Sequence, residues 1–425
     1  MRILLASNAS YVPPRGGSTR SNLVWLDQLA AAGHSCGVVA TAAAAGTPER
    51  REEVKSELLE QEIGLPSEAR DGVEIAKRGE IEVHSVQDAT RRGIVLERRI
   101  REFQPDWVLV SSEDIGQVLL RAAHTAAPGR IVYLAHTPQF YPFGPASWNP
   151  DAQAADILRQ AAAIVAIGHR TAAYIRTHTG VQPAVVHPPM YGEGPFQTLG
   201  RYDSGLVTII NPCAVKGISI FLELLDRHPE LRFGALPGWG TTTHDRRLLE
   251  AHANIEILPK VKDIEHVLRK TRLLLVPSLW LEGFGLVVTE ALLRGIPVIA
   301  SDSGGLVEAK LGTGYVIEIH PIEEYEPVFD EQMMPMPVIP RQSIMPWSRA
   351  LLQLLGDRGE YEAESARSFQ AAAAFVAALD PAGLEKLLLK LRPNSDTRAE
   401  RGHILDDLSP AKRALLLHRL RSKPS

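Results

Sequence analysis

Two glutamates with seven residues between them are the side chains in this sequence best suited to chemistry. Glu282 comes just before a run with helical periodicity, and Glu290 lies inside that run, so both can face one side of the helix. Gly283, Phe284 and Gly285 form a turn at the predicted helix N-terminus, where backbone N–H groups attract phosphates. This arrangement suits a sugar nucleotide: one carboxylate would bind sugar hydroxyls, the N–H groups the diphosphate, and the other carboxylate the ribose.

The elements around these glutamates are predicted to be strand, glycine turn, helix and strand. An apolar run at residues 273–276 predicts a buried parallel strand, and a helix follows over residues 286–293. Gly295 ends that helix, and residues 297–300 form the next strand. Two glutamates alone would more often be solvated side chains of such a unit, so the interpretation depends on the whole run.

The run as a whole resembles the donor-site signature of the family-4 retaining glycosyltransferases. The matching residues are Pro277, Ser278, Glu282, Gly283, Phe284, Gly285, Glu290, Ala291, Gly295, Pro297, Val298 and Ser301. The resemblance implies an α/β protein with the GT-B fold, in which two Rossmann-like domains face a cleft. It extends more weakly to about Arg392, and it points to the kind of enzyme associated with small-molecule or secondary-metabolite glycosylation.

A second loop carries Asn211 and Lys216, between the predicted strand at residues 206–210 and the next helix. In the resembled family this loop usually has an arginine and, five positions later, a lysine, and both contact the donor diphosphate. Lys216 keeps the lysine, but Asn211 takes the place of the arginine. A lysine at a helix start is also disfavoured by the helix dipole, which favours a role in binding for Lys216.

Backbone groups complete the predicted donor site. Gly16 and Gly17 lie between the first strand and a helix that Ser18 or Thr19 can cap, and the resemblance implies that their backbone approaches the donor phosphates. A plain tight turn is the alternative for these glycines and for the turn at Gly238. Several residues are assigned to the donor through their backbone, and the resemblance implies that those at Lys260 and Val261 read the nucleotide base. The full set is Gly16, Gly17, Gly238, Lys260, Val261, Gly283, Phe284, Gly285 and Leu286.

His136 follows the predicted strand at residues 131–135, at the sheet edge where ligands bind in open α/β sheets. The resembled family has a histidine there, beside the transferred sugar, so His136 is predicted to position the sugar; otherwise an isolated histidine would be structural. Aromatic residues follow in a loop rich in proline and glycine, and they predict an acceptor wall, with core packing as the alternative. The predicted acceptor residues are Arg15, Phe140, Tyr141, Phe143 and Trp148.

The composition limits the class of protein. A chain of 425 residues with 45% hydrophobic and 23% charged residues is typical of a globular protein with two domains and additional segments. Its net charge of −4 gives no reason to expect nucleic acid or an anionic membrane as partner. Cys36 and Cys213 cannot form a disulfide framework, which fits a cytoplasmic protein. No apolar run is long enough to predict a membrane span.

We predict four segments along the chain. An N-terminal Rossmann-like acceptor domain covers residues 1–195, a nucleotide-sugar donor domain residues 196–360, and helices at residues 361–392 cross back to the first domain, as the resemblance implies. A flexible tail at residues 393–425 contains a short basic, leucine-rich helix. This helix is similar to linker segments at the ends of polyketide and nonribosomal peptide synthetase subunits, so docking to a synthase and a frayed terminal helix both stay open.

The predicted reaction moves a sugar from a UDP-sugar to a small-molecule acceptor with retention of configuration. Lys216, the helix N-terminus after Phe284 and the Gly16–Gly17 backbone would stabilise the leaving diphosphate. Glu282 would hold sugar hydroxyls and Glu290 the ribose.

No Asp-x-Asp motif stands out, so neither a metal nor a cofactor besides the sugar nucleotide is expected. No carboxylate nucleophile for double displacement can be named, and the resemblance favours front-face attack assisted by the leaving phosphate. The alternatives are a nucleotide-sugar hydrolase or epimerase on the same fold and a non-catalytic subunit docked to a synthase.

Overall fold

A computed structural model describes residues 1–14, 16–43, 48–60, 71–261 and 263–394. Arg15 and the predicted tail helix lie outside these residues. The elements of the first half are β1 (Arg2–Ser7), α1 (Gly16–Ala31), β2 (Ser35–Thr41), α2 (Pro48–Glu60), β3 (Val73–Arg78), β4 (Ile81–Val86), α3 (Arg92–Phe103), β5 (Trp107–Ser111), α4 (Val118–Ala126), β6 (Ile131–Ala135), α5 (Ala152–Arg159), β7 (Ala163–Ala166), α6 (His169–Thr179) and β8 (Ala184–Val185).

The second half begins a new sheet and ends in helices. Its elements are β9 (Leu206–Ile210), α7 (Ile218–Arg227), β10 (Phe233–Leu236), α8 (Thr243–Glu250), β11 (Ile255–Ile257), α9 (Glu265–Leu268), β12 (Thr271–Val276), α10 (Leu286–Leu292), β13 (Val298–Ser301), α11 (Leu306–Ala309), β14 (Val316–Ile317), β15 (Tyr325–Phe329), β16 (Pro335–Pro337), α12 (Met345–Gly356), α13 (Arg358–Ala377) and α14 (Gly383–Lys390). Short 3₁₀ turns lie at Ala89–Arg91, Pro138–Phe140 and Ala214–Lys216.

Two doubly wound sheets confirm the predicted α/β class. The first sheet has the strand order β3-β4-β2-β1-β5-β6-β7-β8, and the second has β11-β10-β9-β12-β13-β14. Their strand pairs are parallel, apart from the antiparallel β3–β4 hairpin. The strand order reverses between β1 and β5 in one sheet and between β9 and β12 in the other, and ligands bind outside the carboxyl ends of strands at such points.

One local prediction differs from the structure. Helix α1 begins at Gly16 rather than at a cap on Ser18 or Thr19, so the two glycines are its first residues. Helix α4 begins at Val118, where a carboxylate oxygen of Asp114 accepts a hydrogen bond from the backbone N–H of Leu119 (2.8 Å). After residue 320, β15 and β16 pair as an antiparallel hairpin.

The last helices contact the first domain. His34 lies within hydrogen-bonding distance of Glu385 on α14 (Nε2–Oε1, 2.9 Å), and the N–H of Asn394 donates to the carbonyl of Gly129 (2.8 Å). Leu384 of α14 and Ala372 of α13 are buried in the same apolar cluster as Trp25 of α1. No helix among the described residues combines the length and the apolar character needed to cross a membrane.

The two domains also meet directly at the carboxyl edges of their sheets. Thr171 donates a hydrogen bond to the carbonyl of Gly283 (2.7 Å). The backbone carbonyl of His136 lies so close to Gly283 that a Cβ atom there would be 1.8 Å from its oxygen. Glu308 accepts hydrogen bonds from the N–H groups of His169 and Arg170 (2.9 Å each), so a carboxylate of the second domain caps α6 of the first.

A buried lysine gives the fold a pH dependence. Lys310 is 1% exposed; its Nζ donates to the carbonyl of Val298 (2.5 Å) and lies 3.8 Å from Glu364. Burial lowers the pKa of Lys310 to about 8, and Glu364 opposes this effect.

Between pH 8 and about 10 the unfolded chain therefore binds more protons at this lysine, and the free energy of unfolding should rise with pH. Denaturant titrations of the wild type and of Lys310→Met measure this effect. Over this pH range the free energy of unfolding of the wild type should rise, relative to that of the variant, by at most about 3 kcal/mol. Lys386→Met, at an exposed lysine paired with Asp380, is the comparison variant, because it removes a lysine that is not buried. If the difference in the free energy of unfolding between the wild type and Lys310→Met stays constant with pH, the pKa of Lys310 is not lowered.

Gly283→Ala should weaken the contact between the domains, because the added methyl group overlaps the His136 carbonyl. We expect a loss of roughly 1–3 kcal/mol in the free energy of unfolding, as for other overpacked sites. Gly356→Ala is the control, since no atom lies within 4 Å of its added methyl group. Equal unfolding midpoints for the two variants would show that the domains do not meet at Gly283 in solution.

Candidate active site

The first part of the site is a partly buried ion pair between two predicted residues, Lys216 (19% exposed) and Glu282 (11% exposed). Lys216, in the 3₁₀ turn after β9, donates a hydrogen bond to Glu282, in the loop after β12. Because β9 and β12 are neighbours at the point where the strand order reverses, the sheet itself brings these loops together. Ser278 donates to the same carboxylate oxygen (2.5 Å). Burial alone would raise the pKa of Glu282, but Lys216 and the Ser278 hydrogen bond outweigh it and hold the pKa below its usual value.

The second part is an ion pair across the cleft. Glu290 on α10 accepts a hydrogen bond from Arg20 on α1 (2.7 Å), so the predicted ribose carboxylate is bound to the opposite domain. The neighbouring carboxylate raises the pKa of Arg20, which keeps this side chain charged. Sequence reasoning missed Arg20. The signal was available, since Arg20 follows Gly16 by one helical turn, and a cation near a helix start is disfavoured unless it has an anionic partner.

His136 takes part in a buried polar chain inside the first domain. Its Nε2 lies 2.9 Å from Oδ1 of Asn22, and the Asn22 amide donates to Ser111 (2.8 Å). Ser111 in turn donates to Glu113 (2.5 Å), so the direction of the chain requires Nε2 of His136 to be the donor. Burial lowers the pKa of His136, although Glu113 opposes this, and the ring is neutral at pH 7. Its Nδ1 is buried without a partner among the described residues.

Asn211 shapes the neighbouring turn rather than carrying charge. Its backbone has a φ of 57°, and its Oδ1 accepts a hydrogen bond from the N–H of Gly240 (2.8 Å). A Cβ atom at Gly238 would lie 2.5 Å from this oxygen, so Asn211 and Gly238 belong to one closely packed unit. The Nδ2 atom of Asn211 is buried and has no partner in the part of the chain that the structure describes.

The predicted glycine loop is a helix N-terminus at the cleft. Gly16 lies against the ring of Trp239, and Gly17 lies against Leu286 at the start of α10. The first N–H groups of a helix have no partner within it, so the start of α1 supplies donors on the first-domain side. Helix α10 itself has only seven residues, and Gly285 precedes it with a φ of 98°.

The remaining predicted donor residues have structural contacts. Phe284 is buried and stacks on Phe375 of α13, with a ring-centroid distance of 5.9 Å. The side chain of Lys260 is paired with Glu57 of α2 and therefore reaches the first domain. Val261 packs at the edge of a small apolar cluster with Leu258. The predicted donor role of these residues belongs to their backbone groups, whereas the contacts described here are made by their side chains.

The predicted acceptor wall of four aromatic residues needs correction. Tyr141 and Phe143 are buried in the core of the first domain, where Tyr141 packs edge-on against Tyr133. A ligand cannot reach these two rings unless the loop moves, so core packing, the alternative interpretation, is right for them. Phe140 and Trp148 instead contact each other, with ring centroids 5.2 Å apart, next to side chains of the second domain.

One group of potential metal ligands comes together among the described residues. His169, His187 and Glu308 have ligand atoms within 4.8 Å of one another, where the two domains meet. The Glu308 carboxylate there already caps α6, which accounts for its position. A separate cavity of about 590 Å³ between residues 198–204 and α13 contains none of the predicted site residues.

Two family models match the chain. The model for Glycosyltransferase Family 4 matches residues 15–190, and the model for Glycosyl transferases group 1 matches residues 241–329. The first match covers most of the first sheet, and the second covers the Glu282–Glu290 segment. No curated protein matches the chain significantly in sequence.

Solved structures of low sequence identity share the whole architecture. Sucrose-phosphate synthase from Thermosynechococcus elongatus has 13% identity and a TM-score of 0.62, over 88% of this chain and 94% of that one. HepE from Anabaena, solved with UDP and glucose, has 14% identity and a TM-score of 0.59, over 92% and 98%. The starch synthase IV catalytic domain from Arabidopsis thaliana, solved with ADP and acarbose, has 13% identity and a TM-score of 0.59, over 92% and 98%.

These similarities confirm the predicted GT-B fold. The fold alone does not indicate an activity. The family matches do, because both models describe glycosyltransferases. Together, the fold and the family matches support a glycosyltransferase of the GT-B type.

Proposed function

We propose that this protein is a retaining, family-4-type glycosyltransferase that moves a sugar from a UDP-sugar to a small-molecule acceptor. The observation that carries the proposal is the pair of largely buried glutamates, each bound by a cation from a different element: Glu282 by Lys216 in the 3₁₀ turn after β9, and Glu290 by Arg20 on α1. Both pairs lie beside the strand-order reversals of the two sheets, where ligands of such sheets bind.

The donor diphosphate would bind at Lys216. A diphosphate carries more negative charge than one carboxylate, so it competes with Glu282 for the lysine. The exchange would release Glu282 to accept hydrogen bonds from sugar hydroxyls, and the start of α1 would add N–H donors. The proposal assigns charge neutralisation to these groups and includes no metal ion. UDP in HepE and ADP in starch synthase IV, proteins of the same fold, favour a nucleoside diphosphate as the leaving group.

Glu290 would bind the ribose hydroxyls with the carboxylate oxygen that Arg20 leaves unused. His136 would position the sugar, because its Nδ1 is a buried acceptor without a partner among the described residues. The polar chain through Asn22 fixes the tautomer in which Nδ1 accepts a hydrogen bond.

Retention of configuration is proposed through front-face attack. Among the described residues, Glu282 is the carboxylate next to the proposed diphosphate site, and Lys216 and Ser278 already bind it. It is therefore assigned to hydroxyl binding rather than to nucleophilic attack. The leaving phosphate would accept the proton of the acceptor hydroxyl.

A cytoplasmic location is also part of the proposal. Cys36 and Cys213 are both free and buried, and they belong to different apolar clusters. Unpaired cysteines in separate clusters fit a reducing compartment, where disulfides are rare.

Lys216→Ala should lower kcat by about two to three decades, because the lysine opposes charge that grows as the sugar leaves. The comparison is Asn211→Gly, which removes a neutral side chain but tolerates the positive φ at this position. Rates are measured with saturating donor and acceptor, together with the donor KM. Equal losses in the two variants would disprove the assignment of the diphosphate charge to Lys216.

Calorimetric titrations with UDP and with UDP-glucose should distinguish the roles of Glu282 and Glu290. Glu290→Gln should weaken UDP and UDP-glucose alike by roughly 1.5–3 kcal/mol, because the ribose is common to both. Glu282→Gln should weaken UDP-glucose but leave UDP unchanged or tighter, since the variant removes the carboxylate that competes for Lys216. If Glu282→Gln weakens both ligands equally, or if Glu290→Gln leaves UDP binding unchanged, the corresponding role is wrong.

A further inference from the structure

Four aromatic rings form a continuous row between the two domains. The ring centroids of Trp239 and Trp280 are 6.0 Å apart, those of Trp280 and Trp148 are 5.9 Å apart, and those of Trp148 and Tyr325 are 5.6 Å apart. These distances are typical of packed aromatic pairs. We call this row the aromatic track; Trp148 comes from the first domain and the other three rings from the second.

One end of the track lies at the proposed reaction centre. Nζ of Lys216 is 4.7 Å from the centre of the Trp280 ring, and Glu282 follows Trp280 by two residues. The ring of Trp239 contacts Gly16 at the start of α1, 3.6 Å from where a Cβ atom would be. A molecule that stacks on the exposed Trp239 ring therefore lies beside the groups assigned to the donor diphosphate and sugar, while Trp280, which is 3% exposed, supports that ring from below.

The track has an accessible surface and an apolar extension. Trp239 is 41% exposed although it rests on the buried Trp280, so an apolar ring face is open to a ligand. Beyond Tyr325 the β15–β16 hairpin exposes a set of large apolar side chains, here called the hairpin patch: Val328, Phe329, Met333, Met336, Val338 and Ile339. Met334 of the same hairpin packs against the cluster that contains Trp280 and Trp148, so the patch is continuous with the track.

The charge of the hairpin restricts what can bind there. Residues 321–340 contain Glu323, Glu324, Glu326, Asp330 and Glu331, and neither lysine nor arginine. Such a surface repels anionic ligands and anionic membranes. Carboxylates accept hydrogen bonds from hydroxyl groups, so this charge disfavours anions but does not by itself disfavour sugars. The six exposed apolar side chains favour an apolar molecule, because exposed patches of this kind mark binding sites.

We propose that the acceptor is a hydrophobic, ring-containing alcohol or phenol, neutral or cationic, that stacks on Trp239, the exposed ring of the aromatic track, and lies on the hairpin patch. This inference rests on the proposed function. The acceptor oxygen forms a bond to the anomeric carbon of the sugar, the bond from that carbon to the diphosphate breaks, and the hydroxyl proton passes to the leaving diphosphate. The patch then accommodates the part of the acceptor that does not react.

The test uses the full chain and three probes of one shape: 2-naphthol, an aminomethyl derivative of it, and a carboxylate derivative. Binding is measured by calorimetry in the presence of UDP, and transfer from UDP-glucose is followed by mass spectrometry. The neutral and cationic probes should bind and be glucosylated, and the carboxylate should bind at least tenfold more weakly at low salt. Maltose serves as a sugar acceptor and should show no transfer.

Variants then locate the binding surface. Phe329→Ser combined with Met333→Ser, and separately Trp239→Ala, should each raise the naphthol Kd at least tenfold. Ile94→Ser is the matched control, because Ile94 is an exposed apolar residue on α3, outside the patch. Trp239→Phe should restore most of the affinity, since it keeps an aromatic face, and thermal unfolding identifies any variant that fails to fold.

The two proposals fail in different ways. If the wild type does not bind UDP, the proposed function is wrong. If UDP binds but the naphthols do not, or if maltose is the better acceptor, the inferred acceptor class is wrong and the proposed function stands. Naphthol binding that none of the folded variants weakens would also contradict the track and the patch as its site.

Discussion

Neutralisation of largely buried carboxylates is the constraint on which the meeting of the two domains depends. A buried carboxylate is costly unless a cation or hydrogen-bond donors compensate it. Each of the three glutamates at the cleft has such a partner: Glu282 has Lys216, Glu290 has Arg20, and Glu308 has the N-terminus of α6. Two of these contacts cross from one domain to the other, so the charge balance and the domain arrangement are linked.

The same edge of the fold brings backbone atoms into contact. The carbonyl of His136 and the backbone of Gly283 approach so closely that a side chain at residue 283 has no room. This contact joins the loop after β6 to the loop after β12, and these loops carry the sugar-positioning and hydroxyl-binding residues of the proposed mechanism. Helices α13 and α14 connect the domains at a second place, through Ala372, Leu384 and Glu385. The relative position of His136 and Glu282 is therefore fixed from two sides.

The donor and acceptor halves of the site are built in different ways. Donor residues lie on short loops directly after strands of the two sheets or on the helices that follow those loops, where backbone geometry places them. The aromatic track combines side chains from residues 148, 239, 280 and 325, which are far apart in the chain, together with a hairpin outside both large sheets. A surface of this kind can vary without disturbing the donor site, which is why the two halves can be tested separately.

The sequence by itself determined the α/β class and most strands and helices, because apolar periodicity and glycine turns are local signals. The family resemblance assigned Lys216 and Glu282 to one donor site, and the structure brings them together because β9 and β12, distant along the chain, are neighbouring parallel strands. The sequence did not indicate Arg20 as the partner of Glu290, the burial of Tyr141 and Phe143, or the aromatic track. These features depend on side chains from separate elements meeting in space, within the first domain for Tyr141 and Phe143 and between the domains for the others. Only the tertiary structure decides which loop aromatics enter a core and which cations reach across a cleft, because burial and ion pairing are set by neighbours that are distant along the chain.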